Sequence, residues 1–508
     1  SALSADEHAE LAAVADNQEE IESRFFAPLS FGTAGLRGVL GVGLNRMNRF
    51  TVGQAAQGLA KLIVSNGSDP MECGVAIAYD SRHFSPEFAK QSACILAANG
   101  IKALLFDELR PTPELSFAVR ELGCIAGINI TASHNPPEYN GIKLFTKGGR
   151  DAVESVTNEL GAAANDVDPK EIHSIEYKRA IAAGLVQEIN PQNQYLDAII
   201  RGVNMDAIRS RNLQIVLDPM YGVSRTSLQT ILLTARCDVS VIHERHDTLF
   251  GGRLPAPNVD TLGALQAAVL QNHADIGIAT DGDADRLGII DDEGHFVHPN
   301  QVLVLLYYYL LKYKNWHGPC VRNIATTHLL DRVAEAFGET CYEVPVGFKH
   351  ISAAMQEHNA VIGGESSGGL TVRGHINGKD GIYAATLLVE MLSVTGKSMS
   401  QLMKEIYAEF GTAYMSEFDW PFDQEMKEKL HHLLMVEKQL PAFPIPVVAT
   451  NYMDGCKVLF ENGWIIARFS GTEPRLRIFC EMPTREEAER LTGVMADFLG
   501  LPMPVKMI

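Results

Sequence analysis

Short apolar runs of strand length alternate with helical patterns along most of this chain, and the alternation starts afresh twice before it stops. Residues 74–78 read as a strand, Ser85-Pro86 as the cap of a following helix, and 102–106 and 126–131 as further strands. The pattern restarts at 213–218, with a helix from Val223 and strands near 239–243 and 275–280. It restarts again at 321–325, with strands near 341–345 and 361–364. Such grammar predicts parallel strands covered by helices, because parallel neighbours need a crossover between them. The final stretch differs: a helix around 424–440 precedes strands near 457–460, 464–468 and 476–481, then a helix from Thr484. The fold class predicted is α/β, as three tandem α/β domains with mixed, mostly parallel sheets plus a C-terminal α+β domain. A chain of 508 residues, 46% hydrophobic, is long enough for that many cores. The breaks fall at 1–190, 191–300, 301–411 and 412–508.

Bulk properties narrow the function classes. No apolar run reaches the roughly 20 residues that span a bilayer, and no basic-then-apolar segment opens the sequence, so a cytoplasmic protein is expected. The chain begins at Ser1 rather than methionine, as a processed or trimmed end would. Its eight cysteines are scattered without C-x-x-C pairs, which argues against zinc ribbons and disulfide scaffolds. A net charge of −19 repels nucleic acid and anionic membranes, so neither is an expected partner. An anionic small substrate would need local cations, which directs attention to particular arginines and lysines. The oligomeric state is not fixed by these properties.

Four polar turns follow strand-like runs. Thr131-Ala132-Ser133-His134-Asn135-Pro136-Pro137 is kept from helix by its prolines and puts Ser133 at the carboxyl end of a strand, where open α/β sheets bind ligands. Ser133 beside His134 suits a nucleophile, and suits equally a turn serine capping a helix. Lys143, in Asn140-Gly141-Ile142-Lys143, suits a proton shuttle or an ordinary solvated lysine. Asp281-Gly282-Asp283-Ala284-Asp285-Arg286 offers three carboxylates to one hard cation, which suits Mg²⁺. A calcium loop is disfavoured, because Arg286 stands where that loop needs glycine and strands flank the segment. Three carboxylates this close repel one another unless a cation neutralises them.

Gly363-Gly364-Glu365-Ser366-Ser367-Gly368-Gly369 lets backbone approach a ligand and pairs a carboxylate with hydroxyls, as sugar binding needs, although an ordinary glycine-rich turn would read the same. Arg468-Phe469-Ser470-Gly471-Thr472-Glu473-Pro474-Arg475-Leu476-Arg477 joins two strands with hydroxyls and guanidinium groups, suiting phosphate or a solvated hairpin. Near the start, Phe31-Gly32-Thr33-Ala34-Gly35-Leu36-Arg37-Gly38 adds an arginine in a glycine-rich loop without P-loop or dinucleotide spacing. Together the loops supply one nucleophile, one cation site, one sugar-type loop and cationic phosphate donors.

As a set, T-A-S-H-N-P, D-G-D-A-D-R, G-E-x-S-G and R-x-S-G-T-E-P resemble the α-D-phosphohexomutase family of phosphoglucomutases and phosphomannomutases, from about Phe31 to about Glu481. The resemblance implies four domains around a central cleft: a phosphoserine domain, a metal-binding domain, a sugar-binding domain and a phosphate-binding domain. It implies that Ser133 carries phosphate and shares Mg²⁺ with Asp281, Asp283 and Asp285, with Arg286 bracing that phosphate. Lys143, Arg37, His134 and Lys379 match positions near the transfer, Lys143 as general acid and base. Glu365 and Ser367 match residues holding sugar hydroxyls, and Gly347 and Lys349 a neighbouring specificity loop. Arg468, Ser470, Gly471, Thr472 and Arg477 match the site of the phosphate that is not reacting. The implied reaction interconverts hexose 1-phosphate and hexose 6-phosphate through a sugar bisphosphate, which is also an activator. G-T-A-G-L-R-G resembles the subgroup of phosphoglucomutases and phosphopentomutases, whereas the intact Glu365-Ser366-Ser367-Gly368 looks like hexose recognition. Glucose phosphate is therefore favoured over mannose and pentose phosphates. The rival classes are a metal-dependent phosphatase and a non-catalytic sugar-phosphate binder.

Overall fold

The computed structural model describes residues 3–32, 35–67, 74–470 and 475–502. It divides into two compact units, Ser1–Ile290 with Gly374–Glu390, and Asp291–Arg373 with Met391–Ile508.

The first unit is built on two sheets. Strands β1 (Phe31–Gly32), β2 (Gly35–Val39), β3 (Val75–Tyr79), β4 (Ala103–Phe106), β5 (Ala126–Ile130), β6 (Tyr139–Thr146), β7 (Arg150–Asp151) and β8 (Val186–Ile189) form an eight-stranded sheet. The order is β1-β2-β6-β5-β3-β4-β8, with β7 paired to β6. The run β5-β3-β4-β8 is parallel, as the alternation predicts. On the other flank β6 returns antiparallel to β5, because the turn after β5 is far too short for a crossover. Strand β6 is not among the strands read from the sequence.

The central strand β3 shows why the sheet is covered on both faces. Val75, Ile77 and Tyr79 pack with helices Arg49–Ser65 and Ser85–Ala98, while Ala76 and Ala78 pack with Leu115, Ala118 and Val119 of helix Thr112–Glu121. An unbroken apolar strand is what two buried faces require. Helix Ser85–Ala98 begins where expected, but Ser85 does not cap it. Phe84 holds the cap position with φ 63°, and the Ser85 hydroxyl instead donates to Asp80 Oδ1 at 2.9 Å. The second sheet of this unit contains β9 (Gln214–Asp218), β10 (Asp238–Val241), β11 (Ile276–Thr280) and β12 (Leu287–Ile290), ordered β10-β9-β11-β12. The first two pairings are parallel and the last is antiparallel.

In the second unit, strands Cys341–Val344, Cys320–Asn323 and Ile362–Gly364 are parallel neighbours, with Leu370–Val372 antiparallel at one edge. The C-terminal part is antiparallel throughout, ordered Tyr414–Pro421, Arg475–Met482, Gly463–Phe469, Cys456–Phe460, Ala449–Asn451. Helix Arg485–Phe498 closes it by burying Ala488, Leu491 and Met495 against Phe418, Val458, Ile465 and Ile478. The first and last strands of this sheet were not read from the sequence. The predicted helix at 424–440 is α-helical only over Gln424–His431 and widens to a π turn at His432–Val436. No helix among the described residues is long and apolar enough to cross a membrane.

Candidate active site

Two strand ends of the first unit deliver the reactive groups. The chain leaves β5 through Thr131-Ala132-Ser133, and Ser133 takes φ 53°, a left-handed conformation that costs a non-glycine residue about 1–3 kcal/mol. Its amide donates to Thr131 Oγ1 at 2.8 Å. The chain leaves β11 through Asp281-Gly282-Asp283-Ala284-Asp285 before returning as β12, and each of the three aspartates is buried. One carboxylate oxygen from each lies within 4.8 Å of the others. Ser133 Oγ donates to Asp281 Oδ2 at 2.8 Å, which joins the two turns. A Cβ on Gly282 would stand 2.8 Å from the Ser133 carbonyl, so only glycine lets the turns approach this closely.

The surrounding cations answer the charge of the triad. Lys143 Nζ, on β6, donates to Asp283 Oδ2 at 2.5 Å and Asp285 Oδ2 at 2.7 Å. Lys379 Nζ lies 3.0 Å from the same Asp285 oxygen, and the Arg286 amide donates to Asp281 Oδ1 at 3.0 Å. Burial pushes the Asp281 carboxyl well above its usual range, with Asp283 and Asp285 adding to the effect. Burial acts in the same sense on Asp285, but Lys143, Lys379 and Arg286 outweigh it and hold that carboxyl below its usual range. Asp283 is likewise held down against its own burial and the repulsion of Asp285, by Lys143 and the hydrogen bond from Thr112. Burial would discharge Lys143, yet Asp283 and Asp285 raise its pKa above the ordinary lysine value, so it stays an ammonium. His134 Nδ1 lies 3.4 Å from Ser133 Oγ, and its imidazole is kept neutral first by Arg286, then by burial, Arg37 and Lys143. Arg37, on β2, donates to Asn135 Oδ1 at 2.7 Å.

The structure therefore brings together Arg37, Ser133, His134, Lys143, Asp281, Asp283, Asp285, Arg286 and Lys379 in the first unit. Thr112 belongs with them and was missed: its Oγ1 donates to Asp283 Oδ2 at 2.6 Å and its amide donates to the Asp283 carbonyl at 2.9 Å. The signal available for it was Pro111-Thr112-Pro113 shortly after β4, another polar turn beyond a strand.

The remaining predicted residues lie in the second unit. Glu365 sits in the tight turn between Ile362–Gly364 and Leu370–Val372 and is nearly buried. Its Oε1 accepts from the Gly347 amide at 3.0 Å and from Asn323 Nδ2 at 3.2 Å, and Ser367 Oγ donates to its Oε2 at 3.5 Å. Gly347, with φ 126°, opens helix Phe348–Glu357, whose first turn contains Lys349. Arg468 Nε pairs with Asp454 Oδ2 at 2.9 Å, and the same oxygen accepts from the Val346 amide at 2.9 Å. Asp454 thus ties the Gly347 loop to the Arg468 hairpin, a link no sequence pattern announced. Ser470 donates its amide to the Arg475 carbonyl, and Arg477 is the cross-strand neighbour of Arg468. Gly471 and Thr472 lie outside the described residues.

Comparison with known proteins follows the same order along the chain. Residues 28–171, 193–294 and 298–410 match the α/β/α domains I, II and III of phosphoglucomutase/phosphomannomutase, and 432–498 match its C-terminal domain. A phosphoglucomutase/phosphomannomutase from Thermococcus kodakarensis is 31% identical over 465 residues, covering 90% of this chain and 95% of that protein. A phosphoglucomutase from Staphylococcus haemolyticus is 29% identical over 514 residues, covering 91% of each. A solved structure of a phosphoglucomutase/phosphomannomutase family protein from Burkholderia thailandensis shares the fold, with TM-score 0.78 over 93% of this chain and 98% of that one at 22% identity.

Proposed function

The chain belongs to the phosphoglucomutase/phosphomannomutase family and is a phosphosugar mutase, and from that premise we propose that it interconverts glucose 1-phosphate and glucose 6-phosphate through a phosphoserine at Ser133. The observation that carries this reading is the hydrogen bond from Ser133 Oγ to Asp281, inside a buried group of three aspartates faced by Lys143 and Lys379. A serine held there can bear a phosphoryl group whose charge the neighbouring cations offset.

In the forward half-reaction the free sugar hydroxyl attacks the phosphorus of phosphoserine in line, the bond from phosphorus to Ser133 Oγ breaks, and a sugar bisphosphate forms. The hydroxyl proton leaves to a base, and the freed Ser133 oxygen takes a proton from an acid. Lys143 is assigned to both duties in turn: its ammonium, the form that two neighbouring carboxylates favour, gives its proton to the departing Ser133 oxygen, and the amine left behind takes the proton of the sugar hydroxyl. After the bisphosphate reorients, its other phosphate returns to Ser133, so no organic phosphate is lost. His134, Arg37, Arg286 and Lys379 are assigned to the transferring group. Glu365, Ser367, Gly347 and Lys349 are assigned to the sugar, and Arg468, Ser470, Gly471, Thr472 and Arg477 to the phosphate that does not react.

The aspartate triad fits Mg²⁺. Its donors are all carboxylate oxygens, the class this hard cation takes, and the buried Asp283 Oδ1 and Asp285 Oδ1 have no hydrogen-bond partner. When bound there, Mg²⁺ would neutralise charge on the phosphoryl oxygens. A sugar bisphosphate is proposed as activator, because it would supply the first phosphate to Ser133.

The experiment treats the protein with glucose 1,6-bisphosphate and locates phosphate by mass spectrometry of peptides, then assays glucose, mannose and ribose 1-phosphates side by side. Phosphate on Ser133, its absence in Ser133→Ala with loss of nearly all turnover, and fastest conversion of glucose 1-phosphate are expected. Active protein that never carries phosphate at Ser133, or stoichiometric release of inorganic phosphate, would refute the reading.

A further inference from the structure

The turn Asp80-Ser81-Arg82 follows β3 at its carboxyl end, and Arg82 is almost wholly buried with its guanidinium turned into the Ser133 loop. Its Nη2 donates to the carbonyls of Ser133 at 2.7 Å and Asn135 at 2.6 Å. Its Nη1 donates to the carbonyls of Pro136 at 2.8 Å and Tyr139 at 2.9 Å. Nε faces Asp80 Oδ2 at 3.3 Å, and the guanidinium lies 4.9 Å from the centre of the Phe250 ring. Asp80 completes a circuit around the serine. Its Oδ2 accepts from Thr131 Oγ1 at 2.6 Å, and Thr131 Oγ1 accepts the Ser133 amide. Both peptide groups of Ser133 are therefore held by one connected network, its N–H through Thr131 and its carbonyl by Arg82.

This network has a task that packing alone does not explain. Ser133 sits in a left-handed conformation that a serine does not hold unaided, and the loop beyond it contains Pro136 and Pro137, which lack amide hydrogens for internal bonds. A planar guanidinium with fixed N–H directions can bind four carbonyls of such a loop at once, whereas a lysine ammonium has three donors on a flexible stem.

We propose that Arg82, buttressed by Asp80 and Thr131, is the positioning residue of the phosphoryl carrier, fixing the direction in which Ser133 Oγ points while the phosphoryl group is exchanged. The inference rests on the reading of Ser133 as that carrier. It assigns Arg82 no contact with substrate, so its loss should act on the transfer step far more than on substrate binding. Reacting atoms misplaced by about 1 Å can cost on the order of 100-fold in rate.

The test uses full-length protein primed with glucose 1,6-bisphosphate, with Ser133 phosphate counted by mass spectrometry so that every rate is expressed per phosphorylated site. Single-turnover transfer from phosphoserine to saturating glucose 1-phosphate is timed by rapid quench, and KM is measured in parallel. Arg82→Lys is expected to slow transfer per site about 100-fold or more with KM changed less than about threefold. Thr131→Val, which removes the acceptor of the Ser133 amide without changing side-chain size, is expected to slow it at least about tenfold, and it decides the matter if Arg82→Lys does not fold. Transfer at the wild-type rate per site in the folded variants overturns the proposal, because a merely structural role would lower the folded fraction and leave each surviving site as fast as before. Wild-type protein without Ser133 phosphate overturns the carrier reading itself, and the inference with it.

Discussion

Glu114 offers a quantitative test of the first unit's interior. It lies on helix Thr112–Glu121 with no exposed surface, and neither carboxyl oxygen has a hydrogen-bond partner. Burial pushes its pKa from 4.5 up to about 8, against the pull of Arg110, whose Nε stands 3.7 Å away, and with Asp107 and Asp380 adding to the rise. The folded protein therefore keeps this proton up to about pH 8, while the unfolded chain gives it up near 4.5. Between those values the folded state binds the extra proton, so raising the pH favours unfolding, by about 1.4 kcal/mol per pH unit for a single group. From about pH 6 to about pH 9, past which the contribution is spent, the loss amounts to ~2–3 kcal/mol.

Glu114→Gln keeps the shape and cannot ionise, so its stability should decline less steeply over that interval by this amount, whatever constant cost the buried amide adds. Trp316, Trp420 and Trp464 all belong to the second unit, so their fluorescence does not report directly on the surroundings of Glu114. Urea unfolding should instead be followed by hydrogen-exchange mass spectrometry of peptides from the helix itself. Other groups titrating in this range are common to both proteins and cancel. Parallel stability profiles for wild type and Glu114→Gln between pH 6 and 9 would show that Glu114 is ionised in the folded protein, and the argument from its burial would fail.

Three other perturbations test the assigned residues. Asp283→Asn should weaken Mg²⁺ binding in a calorimetric titration by at least about tenfold, since one of three anionic donors becomes neutral, and chelator should abolish activity that Mg²⁺ restores. Gly282→Ala should separate the Ser133 and aspartate turns, because its Cβ would meet a backbone carbonyl at 2.8 Å. Overpacking of this kind costs about 1–3 kcal/mol, and both melting temperature and turnover should fall. Arg468→Ala should raise KM and make turnover depend more steeply on added bisphosphate, as escape of a poorly held intermediate would; unchanged KM and primer dependence would make the pair with Asp454 purely structural.

The sequence made the strand-end turns legible for a physical reason. A run such as Ile276-Gly277-Ile278-Ala279 can be buried on both faces only as a strand, and three aspartates directly after it must be neutralised wherever they point. Ser133 was legible in the same way, as a hydroxyl at the end of an apolar strand with a histidine and then two prolines after it. The α/β alternation was equally readable, since β3 and β5 are buried on both faces and so apolar at every position but Asn129. Less readable was β6, where Lys143 and Asn140 interrupt the apolar pattern because those side chains serve the site and the neighbouring turn. The edge strand Ala449–Asn451 is short and mostly exposed, and carries no pattern at all.

What stayed hidden are the residues that act on backbone. Arg82 contacts four carbonyls, Thr131 accepts an amide, and Asp454 joins an amide to an arginine, and every residue type carries carbonyls and nearly every one an amide. Such partners impose no residue type on the segment they hold, so spacing rules cannot find them. A local cue did exist for Arg82, as it did for Thr112, because Asp80-Ser81-Arg82 and Pro111-Thr112-Pro113 both follow apolar strands of the same sheet, as Ser133 does. Parallel strands align their carboxyl ends, so polar turns after β3, β4 and β5 must emerge on one side of the sheet, and the fold class itself predicts that they meet. That geometry, common to every polar turn after these strands, puts Arg82 and Thr112 beside Ser133. It does not locate Asp454, which sits on an antiparallel sheet whose turns emerge at both ends.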